Sequence, residues 1–227
     1  MTVVLGIDTA TSGCAAALVR DGETLAARRA RMARGQSEAL APMIDEVVQD
    51  AGISFSDIDA VAVTRGPGAF TGLRIGLAAA RALALALGKP CLGIDTFAAL
   101  LEAVRENTGY AAADACVIAV DSKRDELFVA IYDANGRADG EPAALRPEDI
   151  PERLGAAANV VVAGDGAARV VPALALRSHV VLANDAELPD PAVIARLGLA
   201  ALETPENAPA TPLYLRPPDV TMPGGNG

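Results

Sequence analysis

Two apolar runs in this sequence end at an aspartate: Val3 to Ile7 stops at Asp8-Thr9, and Cys116 to Val120 stops at Asp121-Ser122. Carboxylates at two strand ends, facing a shared cleft, can hold a divalent cation and the phosphates of a nucleotide between them. Such a site also needs small residues in the turn after each aspartate, so that backbone N–H groups reach the phosphate. Thr9 to Gly13 meets that need. Ser122-Lys123-Arg124-Asp125 is bulky and lacks glycine, which argues against nucleotide turnover. An aspartate at a strand end is also an ordinary turn former, and that reading stays open for both positions.

The stretch RGPGAFTGLRIG, Arg65 to Gly76, is the most informative in the chain. Gly66, Pro67 and Gly68 form a tight turn after a strand, and Thr71 is placed to cap the helix that follows. Free N–H groups at that helix start would suit a phosphate or carboxylate, with Asp8, Thr9, Gly66, Gly68 and Thr71 as the candidate binding residues. The competing reading is structural: a turn, followed by a helix whose Gly72 and Gly76 leave bare backbone for a close neighbour. No Lys-Ser/Thr pair follows the glycines, as a P-loop would require. A dinucleotide fold is disfavoured because the spacing is GxGxxxG and Pro67 removes an N–H between the first two glycines.

Composition excludes several other chemistries. Lys plus Arg number 19 against 29 Asp plus Glu, a formal net charge of −10, which opposes a broad grip on nucleic acid phosphates. With a single histidine, His179, no histidine-based metal site and no Ser-His-Asp or Cys-His arrangement can be assembled, so neither catalytic nor metal-ligating residues are assigned. Aromatic residues make up 3%, too few for a base-stacking platform. Cys14, Cys91 and Cys116 sit in apolar runs without metal spacing, as reduced thiols of a cytoplasmic protein would. The opening MTVVLGID is not a signal peptide, and Ile75 to Leu87 is too short to span a bilayer, so no membrane association is expected. Arg28, Arg29, Arg31 and Arg34 read as a solvated edge, and Gly164-Asp165-Gly166 either touches a ligand or, more simply, makes a strand-to-helix turn.

The elements that would position these residues follow from periodicity. Val3 to Ile7, Cys14 to Val19 and Leu25 to Ala30 form a hairpin meander. Cys116 to Val120 and Leu127 to Tyr132, closed by Asn135-Gly136, repeat the pattern, which implies duplicated lobes. Between them lie a helix over Gln36 to Ala51 interrupted by Pro42, a strand at Ala60 to Val63, and a helix from Thr71 to Leu87. A strand at Cys91 to Ile94 follows, then a helix over Phe97 to Glu106 capped by Asp95 or Thr96. Strand–helix–strand order predicts parallel pairing with right-handed crossovers. Further on come a short helix at Pro147 to Leu154, strands at Val160 to Ala163 and Val180 to Leu182, and a helix at Pro191 to Leu202. The expected division is an N-terminal lobe over 1–107, a smaller lobe over 108–216 and a flexible tail over 217–227.

The two N-lobe helices are apolar around much of their circumference, and in Thr71 to Leu87 only Arg74 and Arg81 are charged. Either they are buried in their own lobe or they pair with a partner's helices as a four-helix interface. On the second reading the contact residues are Leu40, Met43, Ile44, Val47, Leu73, Arg74, Leu77, Ala80, Arg81 and Ala84.

RGPGAFTGLRIG and the opening GIDTATSG (Gly6 to Gly13) resemble the TsaB (YeaZ) family closely, and DSKRDELFVAIYD (Asp121 to Asp133) and PLYLR (Pro212 to Arg216) look like its later landmarks. The resemblance implies an α/β, two-lobe actin/Hsp70-like (ASKHA) fold of duplicated mixed sheets. It also implies a non-catalytic subunit in the synthesis of tRNA threonylcarbamoyladenosine. In that family the catalytic partner is TsaD, an ATPase called TsaE joins the pair, and tRNA is engaged only through the complex. The pairing surface of the family maps onto Gln36 to Ala51 and Thr71 to Leu87. TsaD-type proteins use an HxxxH metal pair, and nothing here can form one. No intrinsic cofactor is implied, with ATP or ADP bound at most at the partner junction, and a homodimer is an option for the free chain. Gln36 stands where many members have His, and Ala69 where Ser is usual. The alternatives are a stand-alone weak ATPase or peptidase, and a stand-alone tRNA binder.

Overall fold

The computed structural model describes residues 1–107, 110, 113–204, 206 and 208–216. The expected lobe boundary between Asn107 and Ala115 lies partly outside the described residues, and the tail 217–227 wholly so. The first lobe opens with β1 (Val3–Asp8), β2 (Gly13–Arg20) and β3 (Glu23–Arg31), an antiparallel meander. Then come α1 (Gln36–Asp50), β4 (Ala60–Gly66), α2 (Phe70–Leu87), β5 (Cys91–Asp95) and α3 (Thr96–Asn107). The second lobe contains β6 (Ala115–Asp121), β7 (Leu127–Asp133), β8 (Ala143–Leu145), α4 (Ile150–Arg153), β9 (Asn159–Ala163), α5 (Ala167–Val170) and β10 (His179–Leu182). The last helix is α6 (Pro191–Ala201).

The duplication extends through both sheets. The first has the order β3-β2-β1-β4-β5 and the second β8-β7-β6-β9-β10. In each, an antiparallel three-strand meander is followed by two parallel strands, β1–β4–β5 and β6–β9–β10. This is the two-lobe, actin-like α/β architecture.

Side-chain alternation distributes the core. Val3, Leu5 and Ile7 of β1 point to a layer formed by α1 and α2, where they meet Leu40, Ile44, Val47, Leu77 and Ala80. Val4, with Ala17, Ala60, Ala62 and Leu92, points the other way onto Ala192, Ile194 and Ala195 of α6. Phe97, Leu100 and Val104 of α3 pack on Cys116, Ile118 and Val120 of the second sheet, joined there by Val193 of α6. Thus α3 and α6 fill the middle layer between the sheets, while α4 and α5 close the outer face of the second.

Three local outcomes differ from the periodicity. α1 runs unbroken through Pro42, whose ring is on the exposed side. α2 begins at Phe70 rather than Thr71, with Ala69 at its N-cap and no side-chain cap, so Thr71 does not cap it. That earlier start makes α2 an 18-residue helix, long and apolar enough by length and composition to cross a membrane, although its inner face is packed on the first sheet. Finally, α6 and the segment around Leu213 return to the first lobe: the Gly93 N–H donates to the Ala208 carbonyl at 2.9 Å and the Leu213 N–H to the Arg65 carbonyl at 2.7 Å. The second sheet therefore keeps to one side of the expected 107/108 division, but α6 and the segment from Ala208 to Leu213 do not. The cap of α3 is as expected, with Asp95 Oδ1 accepting the N–H groups of Phe97 and Ala98.

Candidate functional site

The two hairpin turns face each other across the interlobe cleft. At the end of β1, Asp8 is buried. Its Oδ1 accepts the Thr64 hydroxyl at 2.6 Å and the Ala10 N–H at 3.0 Å, and its Oδ2 the Thr11 hydroxyl at 3.3 Å. Burial pushes its carboxyl up to about 6, against the pull of those donors and with a further upward contribution from Asp165.

The glycine motif proves to be a packing device. The Thr9 hydroxyl donates to the Gly72 carbonyl at 2.7 Å, and the Ala69 N–H to the Ala10 carbonyl at 2.7 Å. A Cβ at Gly72 would lie 2.0 Å from the Thr9 carbonyl oxygen, and one at Gly68 2.2 Å from that of Ala10. The β1–β2 turn therefore sits directly on the start of α2, and its carbonyls occupy the space an anion would need. Of the expected phosphate-binding residues, Asp8, Thr9, Gly66 and Gly68 are committed to contacts within the chain, Gly66 by its close approach to the Leu213 carbonyl. Thr71 alone lies exposed, on the cleft wall.

On the opposite side, Asp121 ends β6. Burial pushes its carboxyl upward, but hydrogen bonds from the Lys123 side chain and backbone outweigh that and hold it low. Lys123 adopts φ 61° and reaches into the cleft, with Nζ 3.0 Å from Asp121 Oδ2 and 2.8 Å from Ser12 Oγ of the first lobe. Asp165, in the turn after β9, has a side chain only 2% exposed. It accepts the Ser12 N–H and hydroxyl at 3.1 and 2.8 Å and the Asp121 N–H at 2.8 Å. Asp165, Ser12 and Lys123 are the residues that sequence reasoning passed over. The available signal was that Asp165 follows the apolar run Val160 to Ala163, between two glycines.

Above this floor lies a cleft of about 970 Å³, walled by Thr11, Ser12, Gln36, Thr71 and Lys123 among others. Beside it, a cavity of about 360 Å³ collects Phe70, Phe128 and Tyr214, three of the few aromatics in the chain. Of the residues lining it, Arg216 pairs with Glu126 at 3.0 Å, and the Phe70 ring lies under the Arg74 guanidinium at 3.7 Å. Among the described residues no group of three or more His, Cys, Asp or Glu side chains is placed to hold a metal. Burial pushes the thiols of Cys14 and Cys116 up to about 11 and about 12, so they are poor nucleophiles at neutral pH. His179 lies exposed on an edge strand, away from the cleft.

The expected partner contacts need correction. Leu40, Ile44, Val47, Leu73, Leu77, Ala80 and Ala84 are buried against this chain's own core and present nothing to a partner. Met43 is half-buried, and Arg74 and Arg81 are exposed, Arg81 donating to the Ala210 carbonyl. An apolar stripe in sequence cannot say whose core it joins. The outward side of α2 is a different set, Ala78, Ala82, Leu85 and Ala86, which recur at helical spacing on one apolar strip bordered along one edge by the exposed Arg74 and Arg81. Leu85 is 84% exposed.

A family model described as TsaD, tRNA N6-adenosine threonylcarbamoyltransferase, matches residues 30–148. The chain is 37% identical over 155 residues to the tRNA threonylcarbamoyladenosine biosynthesis protein TsaB of Escherichia coli, a match that covers 66% of this chain and 65% of that relative, just under two-thirds of its length. The crystal structure of YeaZ from Pseudomonas aeruginosa superposes with a TM-score of 0.77 at 30% identity, covering 95% of this chain and all of that one. The activator of 2-hydroxyisocaproyl-CoA dehydratase from Clostridium difficile, at 13% identity over 92% of this chain and 98% of that one, has a TM-score of 0.55 and shares the fold alone.

Proposed function

The chain belongs to the TsaB (YeaZ) family, and on that premise we propose that it is a non-catalytic, activating subunit of the machinery that forms threonylcarbamoyladenosine in tRNA. It works by pairing with a TsaD-like catalytic subunit. The observation that carries this reading is the outward strip of α2, where Ala78, Ala82, Leu85 and Ala86 expose small apolar surface on a chain of net charge −10. Small side chains let a second helix approach closely, and an apolar strip edged by the exposed Arg74 and Arg81 has the apolar centre and polar rim of a covered interface. The match of residues 30–148 to the TsaD family model supports a partner of related fold, since related subunits can pair through equivalent faces.

The cleft supports the absence of independent chemistry. Its two turns are joined by Ser12, Lys123 and Asp165, and the β1–β2 turn sets the Thr9 and Ala10 carbonyls against the start of α2. Adenine nucleotide, where it takes part, is held at the partner junction rather than in this chain alone, and a TsaE-like ATPase joins the assembled pair. tRNA is reached through the complex, because the acidic chain repels a phosphate backbone. In the absence of its partner the same strip is open to a second copy, which makes a homodimer the resting form in the cytoplasm.

Reconstitution tests the proposal. Threonylcarbamoyl transfer by the TsaD-like protein of the same organism should depend on addition of this chain, which alone should neither transfer the group nor hydrolyse ATP. Robust ATP turnover by the purified chain, abolished by Asp8→Asn, would replace this reading with that of an independent ATPase.

A further inference from the structure

We infer that the interlobe cleft is stapled at a fixed closure by Asp165 and Lys123, so that the chain presents its two lobes as one rigid body. The Asp165 carboxylate takes hydrogen bonds from both lobes at once: the Ser12 N–H and hydroxyl come from the β1–β2 turn, and the Asp121 N–H from the end of β6. It does so while nearly sealed from solvent, where a charge-assisted bond is strong and its loss leaves a buried carboxylate unsatisfied.

Lys123 closes the other side. Its ammonium spans Ser12 Oγ at 2.8 Å, Asp121 Oδ2 at 3.0 Å and Asp165 Oδ2 at 3.9 Å. Arg169 fixes the remaining Asp121 oxygen at 3.3 Å. Asp8, Asp121 and Asp165 would otherwise crowd like charges around the cleft floor, and the ammonium supplies from within the chain the cation that such a floor attracts. Lys123 reaches this position from a left-handed backbone conformation that a non-glycine residue seldom adopts. The bulky turn Ser122 to Asp125 thus has a positive role: its lysine joins the lobes.

The test uses the full chain and three variants, Asp165→Ala, Lys123→Met and Lys123→Arg. Spin labels on one exposed residue of each lobe give the interlobe distance distribution, which a purely local loss of a hydrogen bond would not move. The wild type and Lys123→Arg should give one narrow distance. Asp165→Ala and Lys123→Met should lengthen and broaden it, with hydrogen exchange at the 9–13 and 121–126 turns roughly tenfold faster and exchange in α6 unchanged. Lys123 is half-exposed, so Lys123→Met should fold even if Asp165→Ala does not. An unaltered narrow distance in Lys123→Met, or a wild-type distribution already broad, would overturn the inference.

Discussion

The carboxyl of Asp8 gives the sharpest quantitative prediction. Its folded value of about 6 stands above the ordinary 3.8, because burial disfavours the charge more than Thr64, Ala10 and Thr11 stabilise it. A raised folded value means that the native state holds the proton more tightly than the unfolded chain. The associated stability is therefore complete below the unfolded value and is lost as pH rises through the folded one. The whole shift corresponds to about 3 kcal/mol. Within the practical window of pH 4.5 to 7.5, linkage gives a loss of about 2 kcal/mol, because part of the unfolded population is already ionised at the lower end. Asp8→Asn keeps an acceptor for the Ala10 N–H and has nothing to titrate. Urea unfolding of both proteins across this window should show the wild type losing about 2 kcal/mol relative to the variant as pH rises, other carboxylates cancelling in the difference. A flat difference, or one of opposite sign, would refute the argument that desolvation dominates at this residue.

Further consequences follow from packing. Leu77 is fully interior, so Leu77→Glu should unfold or severely destabilise the chain by about 3 kcal/mol or more, seen as a large drop in melting temperature rather than as a selective loss of pairing. Gly72→Ala drives a methyl group toward the Thr9 carbonyl at 2.0 Å and should cost about 1–3 kcal/mol in chemical denaturation, with no compensating relaxation because the opposing atom is backbone. Cys14 and Cys116, buried and with thiols held far above neutral pH, should resist iodoacetamide in the native protein and react once it is unfolded, as mass spectrometry can follow.

Much of this architecture was legible in the sequence because it is local. Strand, aspartate, turn and strand recur at Asp8 and Asp121, and that repeat announced two lobes whose sheets share one order of strands. The long apolar helices, and the stops at Gly52 and Gly88, follow from periodicity and from the positive φ both glycines adopt. What could not be read depends on contacts distant in sequence. The return of α6 to the first sheet joins Ala192 and Ile194 to Val4 and Ala62, and no local pattern encodes that pairing. Thr71 looked like a cap, but the Ala69–Ala10 contact fixes the helix start one residue earlier. Leu40, Leu73 and Leu77 are covered by this chain's own core, a choice the sequence leaves open because hydrophobic spacing reports a covered face without naming its cover. Asp165 lay in an ordinary Gly-Asp-Gly turn, and only the folded chain brings it beside Ser12 and Asp121.

The outward strip of α2 is where the functional account can be tested most directly. Sedimentation velocity of the chain mixed with the TsaD-like protein of the same organism should show a heterodimer for the wild type. For Ala82→Glu and Leu85→Glu, whose melting temperatures should be unchanged, it should show separated subunits. If both variants associate as the wild type does, or if the wild type never forms a complex, then this strip is not the pairing surface and the chain is not the activating subunit described here.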